Sequence, residues 1–179
     1  TFEHWDLKLG RQRINWGLNT IWNPNDIFNA YNFLDFDYEE RPGNDAIRIQ
    51  GYLNDQSKLE FAYKPGRTKH THIGAFLYKF NKWTYDFQLL AGLYQDDLMF
   101  GGGWAGNLRN AGFKAEFSYF HPKNEIAKHS GVWTASFVVD QTFTNDWYIS
   151  FSSLFNSKPS GLLFGGPALF DSQLSAKSL

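Results

Sequence analysis

The chain has 179 residues, enough for one sizeable domain, and its formal net charge of -1 gives no bulk pull toward nucleic acid or an anionic membrane surface. It contains no cysteine, which excludes a disulfide scaffold and Cys-ligated zinc and suits an extracytoplasmic chain. Aromatic residues make up 19% of it, yet mean hydropathy is only -0.45, so the aromatic surface must be segregated from the polar surface. Apolar runs are short, and no transmembrane helix of about 20 residues can be built from them. A soluble β protein and a membrane β-barrel remain. The first residue is Thr1, with no initiator Met and no signal peptide, so a mature, trimmed or partial chain is expected.

Period-2 alternation predicts nine strands, at about 5–16, 46–53, 58–65, 71–80, 83–94, 97–105, 111–120, 131–142 and 146–156. The first runs through Leu7, Leu9, Arg11 and Arg13, and its parity is awkward, because arginines and leucines would share a face. A bulge at Gly10 would shift the phase and turn Gln12, Ile14 and Trp16 outward. The third has Leu59, Phe61 and Tyr63 opposite Lys58, Glu60 and Lys64. The fourth is ambiguous, because both of its faces are largely apolar. The fifth sets Phe87, Leu89 and Leu93 against Asp86 and Gln88, and the seventh sets Phe113, Phe117 and Tyr119 against Lys114 and Glu116. The ninth carries Trp147, Ile149, Phe151 and Phe155 opposite Ser150 and Ser152.

The connections alternate in length. Asn54–Ser57, Asn81–Lys82, Gly106–Asn110 and Phe143–Asp146 are short turns rich in Asn, Asp and Gly. The segments 17–45, 64–70 and 121–130 on the other side are longer, and Gln95-Asp96 alone breaks the parity. Short turns at one end and longer loops at the other are the outer-membrane pattern. Trp83, Trp104, Tyr119 and Trp147 fall near predicted strand ends, where interfacial aromatic girdles sit. The expected fold is therefore all-β, an antiparallel up-and-down transmembrane β-barrel. Nine strands are odd for a bacterial barrel, so residues 1–179 are read as a single barrel domain or a fragment of a larger barrel.

Residues 17–45 are the least barrel-like part. Asn23-Pro24-Asn25-Asp26 precedes Ile27, Phe28, Tyr31 and Phe33, with Asn25 or Asp26 a candidate cap for a short helix. The segment then turns acidic at Asp35, Asp37, Glu39 and Glu40. A connection this long and aromatic is expected to fold into the lumen and narrow it. Arg11, Arg13 and Arg48 are the candidate wall opposite those acids, since arginine at the lipid midplane costs about 2–4 kcal/mol. Facing charges of this kind set solute preference in a pore, and they equally suit salt bridges that pin the loop.

Gly10-Arg11-Gln12-Arg13-Ile14-Asn15-Trp16-Gly17, followed by Asn23-Pro24-Asn25-Asp26, resembles the signature of porin-like outer-membrane proteins related to the alginate-export group. Gly101-Gly102-Gly103-Trp104-Ala105-Gly106-Asn107 with Ala111–Glu116 resembles a hairpin of the same proteins. The resemblance implies a wide barrel in the bacterial outer membrane, in contact with lipid bilayer and lipopolysaccharide, that passes or exports a polar solute such as a saccharide. It leaves a homo-oligomer or a larger membrane complex open.

Other chemistries are poorly represented. Asp96-Asp97 and His121 would lie in extracellular loops, where a barrel enzyme would place acid–base groups, but solvated loop tips are the commoner reading. His70 and His72 share a strand face without an evident third metal ligand. The Gly101–Gly103 run lies in a strand, where it suits curvature or close backbone approach and not a phosphate cradle. No enzyme activity, cofactor, metal or nucleic-acid partner is expected. A structural or assembly subunit of a larger outer-membrane machine is the main alternative to a channel.

Overall fold

In the computed structural model, which describes residues 4–19, 22–29, 43–68, 70–123 and 131–157, the chain forms nine antiparallel strands in one sheet. They are β1 (Trp5–Gln12), β2 (Asn44–Asn54), β3 (Ser57–Lys64), β4 (Ile73–Lys82), β5 (Tyr85–Tyr94), β6 (Asp97–Leu108), β7 (Ala111–Pro122), β8 (Val132–Thr142) and β9 (Tyr148–Asn156). Sequence order is sheet order, the up-and-down meander, and the described residues contain no helix. The sheet is open: β1 and β9 are its two edges among the described residues.

The turns between β2 and β3, β4 and β5, and β6 and β7 are Asp55-Gln56, Trp83-Thr84 and Arg109-Asn110. Trp83 and Thr84 both take positive φ (54° and 66°), the geometry that lets a two-residue turn follow the twist of its strands. Residues 13–43, 65–72 and 123–131 are the connections at the other end, with Gln95-Asp96, where Gln95 takes φ 57°. The expected alternation of turn end and loop end therefore holds, including its one short exception.

Directly opposed residues in the ladders share a face, so the register sorts every strand residue onto one of two surfaces. Leu59, Phe76, Leu89, Phe100, Phe117 and Phe137 belong to one face, and all of them are substantially exposed. In β3–β9 every Asp, Glu, Lys and Arg falls on the other face except Lys82, the last residue of β4. Lys82 Nζ sits 4.4 Å from the ring centroid of Trp83 in the turn. We call these the bare face and the covered face, because the second is overlaid by the chain that follows β1. Tyr119 and Trp133 stack across β7 and β8 on the bare face at 4.4 Å, near the loop end. Trp104 lies inside β6, parallel to Phe87 at 6.3 Å, so it is not an end residue.

Two expectations change at β1. It leaves the sheet at Gln12, not at residue 16, and it pairs with β2 from Trp5↔Gly51 to Gln12↔Asn44 without a register shift. Gly10 takes φ 101° inside that unbroken ladder, a conformation open to glycine at no steric cost, so no bulge is needed. Ile14 and Trp16 consequently turn onto the covered face, where both are buried, and not outward. The shift recorded in the ladders lies between Tyr52 and Asn54, at the end of β2.

Candidate functional site: the segment seated on the covered face

The chain after β1 is the structure's distinctive feature. Residues 13–19 and 22–29 contain a turn at Pro24-Asn25 and no helix, so Asn25 and Asp26 cap none; Asp26 N–H instead closes the turn onto the Asn23 carbonyl at 3.0 Å. Ile14, Trp16, Ile27 and Phe28 are buried with Ala62, Ala75, Leu77, Leu90, Tyr94, Met99 and Phe120 of the covered face. Burying an apolar side chain of this size stabilises by roughly 1.5–3 kcal/mol, so these four residues contribute substantially to seating the segment. Phe28 meets Trp16 edge-on at 4.9 Å.

Hydrogen bonds fix the register of the segment on six strands. On β3, Glu60 accepts Trp16 Nε1–H at 2.5 Å, Arg48 Nε–H at 2.7 Å and Gln50 Nε2–H at 2.9 Å. On β5, Gln88 Nε2 donates to the Trp16 carbonyl at 3.0 Å. On β7, Glu116 accepts three main-chain N–H groups: Leu18 and Asn19 on one oxygen and Asn25 on the other. Ser118 Oγ lies 2.9 Å from the Pro24 carbonyl and 2.8 Å from Asn25 Oδ1. On β6 the Gly102 carbonyl accepts Asn25 Nδ2–H at 2.8 Å, and on β8 Ser136 Oγ accepts from Asn19 Nδ2 and donates to the Trp22 carbonyl. Asn44, at the start of β2, ties the far end by donating to the Phe28 carbonyl and to Asn29 Oδ1. Gln88 and Glu116, on the polar faces of their strands, are covered by this segment and buried.

The glycine run on β6 has a concrete use here. A Cβ at Gly101 would come within 2.7 Å of Asn25 Oδ1 and 3.0 Å of the Phe117 carbonyl oxygen, which is backbone and cannot swing aside. At Gly103 the collisions are with side chains only, Leu18 Cδ1 at 2.7 Å and Gln88 Cγ and Nε2 at 3.0 Å. Gly101→Val should therefore cost about 1–3 kcal/mol by overpacking and raise protease cleavage within 13–29. Gly103→Ala should cost less and shift the cleavage pattern less, because only side chains have to give way there. Equal behaviour of the two variants would contradict the seating described here.

The arginines expected to form one ladder are separated. Arg48 is on the covered face, bound to Glu60. Arg11 shares the face of Leu7 and Leu9, near the end of β1, where it is exposed and 3.5 Å from Asp45. Arg13 lies beyond β1 and is exposed. Asp35, Asp37, Glu39 and Glu40 lie outside the described residues, as do Tyr31 and Phe33. Sequence reasoning does not single out Glu60, Gln88, Glu116, Ser118 and Ser136 as anchors. Their signal is a polar side chain at mid-strand, which a solvated face would show equally well.

The loop-end histidines have ordinary partners. His70 Nδ1 contacts the Asp96 carboxylate at 2.8 Å, and His72 Nδ1 accepts from Tyr63 Oη and from Gly66 N–H. Among the described residues no three His, Cys, Asp or Glu side chains gather to hold a metal. Comparison with protein-family models, curated proteins and solved structures gives no match for this chain.

Proposed function

We propose that this chain is part of a bacterial outer-membrane β-barrel, a porin-like channel that passes or exports a polar solute, with the segment 13–29 narrowing its lumen. The observation that carries the reading is the division of charge. The bare face of β3–β9 keeps its aromatic and aliphatic residues exposed and holds no Asp, Glu, Lys or Arg short of Lys82 at a strand end. Strands of 8–12 residues match what a tilted strand needs to cross a hydrocarbon core. The covered face is a water-type surface: Lys8 opposes Arg48, and Lys58 opposes Lys79. Like charges directly opposed repel, and such pairs are tolerable where water reaches them. Closure of the sheet by further strands, contact with lipopolysaccharide and kinship with the porin-like proteins related to the alginate-export group belong to the same proposal.

The full-length protein should require detergent for extraction and should migrate on gels in a heat-modifiable way. In planar bilayers it should form ion-conducting channels. Recovery of folded protein from the soluble periplasmic fraction would remove the membrane assignment. The depth to which Trp16 and Asn25 are buried favours one second reading, a plugged barrel that serves a larger assembly. Heat-modifiable protein that conducts no ions under any condition would support that second reading over the channel.

A further inference from the structure

Two cavities open at opposite ends of the covered face, and both border β3 and β4. The one at the turn end has a volume of about 550 Å³ and is bordered by Leu18, Gln56, Lys58, Lys79, Asn81 and Asp86. The one at the loop end has a volume of about 610 Å³ and is bordered by Ile27, Phe28, Lys64, Arg67, Ile73 and Tyr94. On β3, Lys58 belongs to the first and Lys64 to the second, and the covered-face residues between them are Glu60 and Ala62. On β4, Lys79 belongs to the first and Ile73 to the second, with Leu77 and Ala75 between. Those four intervening residues are all buried. Trp16 is buried in the same cluster, with its indole N–H on Glu60 and its carbonyl on Gln88 of β5.

On the other side of the segment the polar groups of β5–β8 are engaged: Gln88, Glu116, Ser118 and Ser136 all bind segment atoms. Among the described residues no comparable set of bonds ties the segment to β4, and β3 holds it through Glu60, which accepts the Trp16 indole N–H, and Lys64, whose Nζ donates to the Phe28 carbonyl at 3.3 Å. From this asymmetry we propose that the two cavities are the ends of one passage along β3 and β4, and that Trp16 is the residue that closes it. The inference rests on the channel reading and adds to it the route and its gate. Ala62 and Ala75 are small, and Trp16 is the largest fully buried side chain of the cluster they share. Without the indole, the space is flanked by Glu60 with its partners Arg48 and Gln50, polar enough to hold water.

The test uses the full-length protein with Trp16→Ala and Trp16→Phe, and with Ala62→Cys placed in each background. This chain has no cysteine of its own, so the introduced thiol is the one that reports. Trp16→Ala should raise single-channel conductance in KCl by about twofold or more, because the narrowest layer of a pore sets its resistance. Trp16→Phe keeps most of the bulk and should change conductance little. In detergent-solubilised protein, the thiol introduced by Ala62→Cys should resist a charged thiol reagent when position 16 holds tryptophan or phenylalanine. It should react readily when position 16 holds alanine. Heat-modifiable Trp16→Ala protein with wild-type conductance and a protected thiol would overturn the gate. If Trp16→Ala does not fold, Trp16→Leu takes its place with the same expected and overturning results. If no variant conducts while the thiol still becomes reactive on removal of the indole, the channel reading falls and the closure by Trp16 stands.

Discussion

Leu89→Arg should lower the folding free energy in lipid bilayers by about 2–4 kcal/mol, and the same substitution nearer the strand ends should cost about 0–1 kcal/mol. Leu89 is in the middle of β5, on the bare face, half exposed, and flanked across the ladder by Tyr78 and Gly102. If the bare face meets lipid, as proposed, arginine there would sit near the midplane of a bilayer, far from headgroups. Tyr85, next to the Trp83-Thr84 turn, and Leu93, next to the loop end, share the face of Leu89 at two other depths. A cost that peaks at position 89 and falls toward 85 and 93 is the signature of a hydrocarbon slab. If the bare face were instead packed on a second sheet in water, the cost would follow local contact and not depth. A flat profile across Tyr85→Arg, Leu89→Arg and Leu93→Arg, measured as denaturation midpoints in vesicles, would reject lipid contact. Lys82 supplies an internal control, since the chain already tolerates a cation on this face at the turn end.

What is legible in the sequence follows from the range of the interactions involved. Strand alternation is local, so the faces of β3, β5, β7 and β9 can be read directly: Leu59 against Glu60, Leu89 against Gln88, Phe117 against Glu116. Turn chemistry is local too, and the alternation of turn end and loop end comes with it. The end of β1 is not legible, because the alternation of Arg11 and Arg13 continues past Gln12, while the chain leaves the sheet to bury Ile14 and Trp16. The seating of the segment is illegible for a different reason. Glu116 meets Leu18 and Asn25 across separations of 98 and 91 residues, and nothing near Glu116 distinguishes it from a solvated carboxylate. Two features do point there without being joined: the Asn23-Pro24-Asn25-Asp26 run and the Gly101–Gly103 run, which meet where Asn25 Oδ1 lies against Gly101.

Glu116→Ala should destabilise the folded protein by about 3–5 kcal/mol and release the segment from the covered face. Glu116 is 2% exposed, and among the described residues no cation lies within ion-pair distance of it. Its carboxylate is satisfied by main-chain N–H groups of Leu18, Asn19 and Asn25. Removing the carboxylate therefore leaves three donors unpaired in a buried layer, and hydrogen bonds to a charged group are worth about 1.5–3 kcal/mol each before relaxation. Glu116→Gln should fall between wild type and Ala: its carbonyl oxygen can still accept, but its amide nitrogen would meet one of the donors. Glu60→Gln makes the comparison informative. Glu60 receives the Trp16 indole from the segment, its other hydrogen-bond partners being Arg48 and Gln50 of β2, so its loss should weaken strand-to-strand packing more than segment seating. Protease cleavage within 13–29 separates the two cases, rising steeply for Glu116→Ala and modestly for Glu60→Gln. In planar bilayers the released segment should also raise conductance, because most of the bonds that hold it run to β5–β8 and, among the described residues, nothing equivalent holds it over β4. Unchanged cleavage and an unchanged denaturation midpoint in Glu116→Ala would mean that the apolar residues Ile14, Trp16, Ile27 and Phe28 seat the segment by themselves.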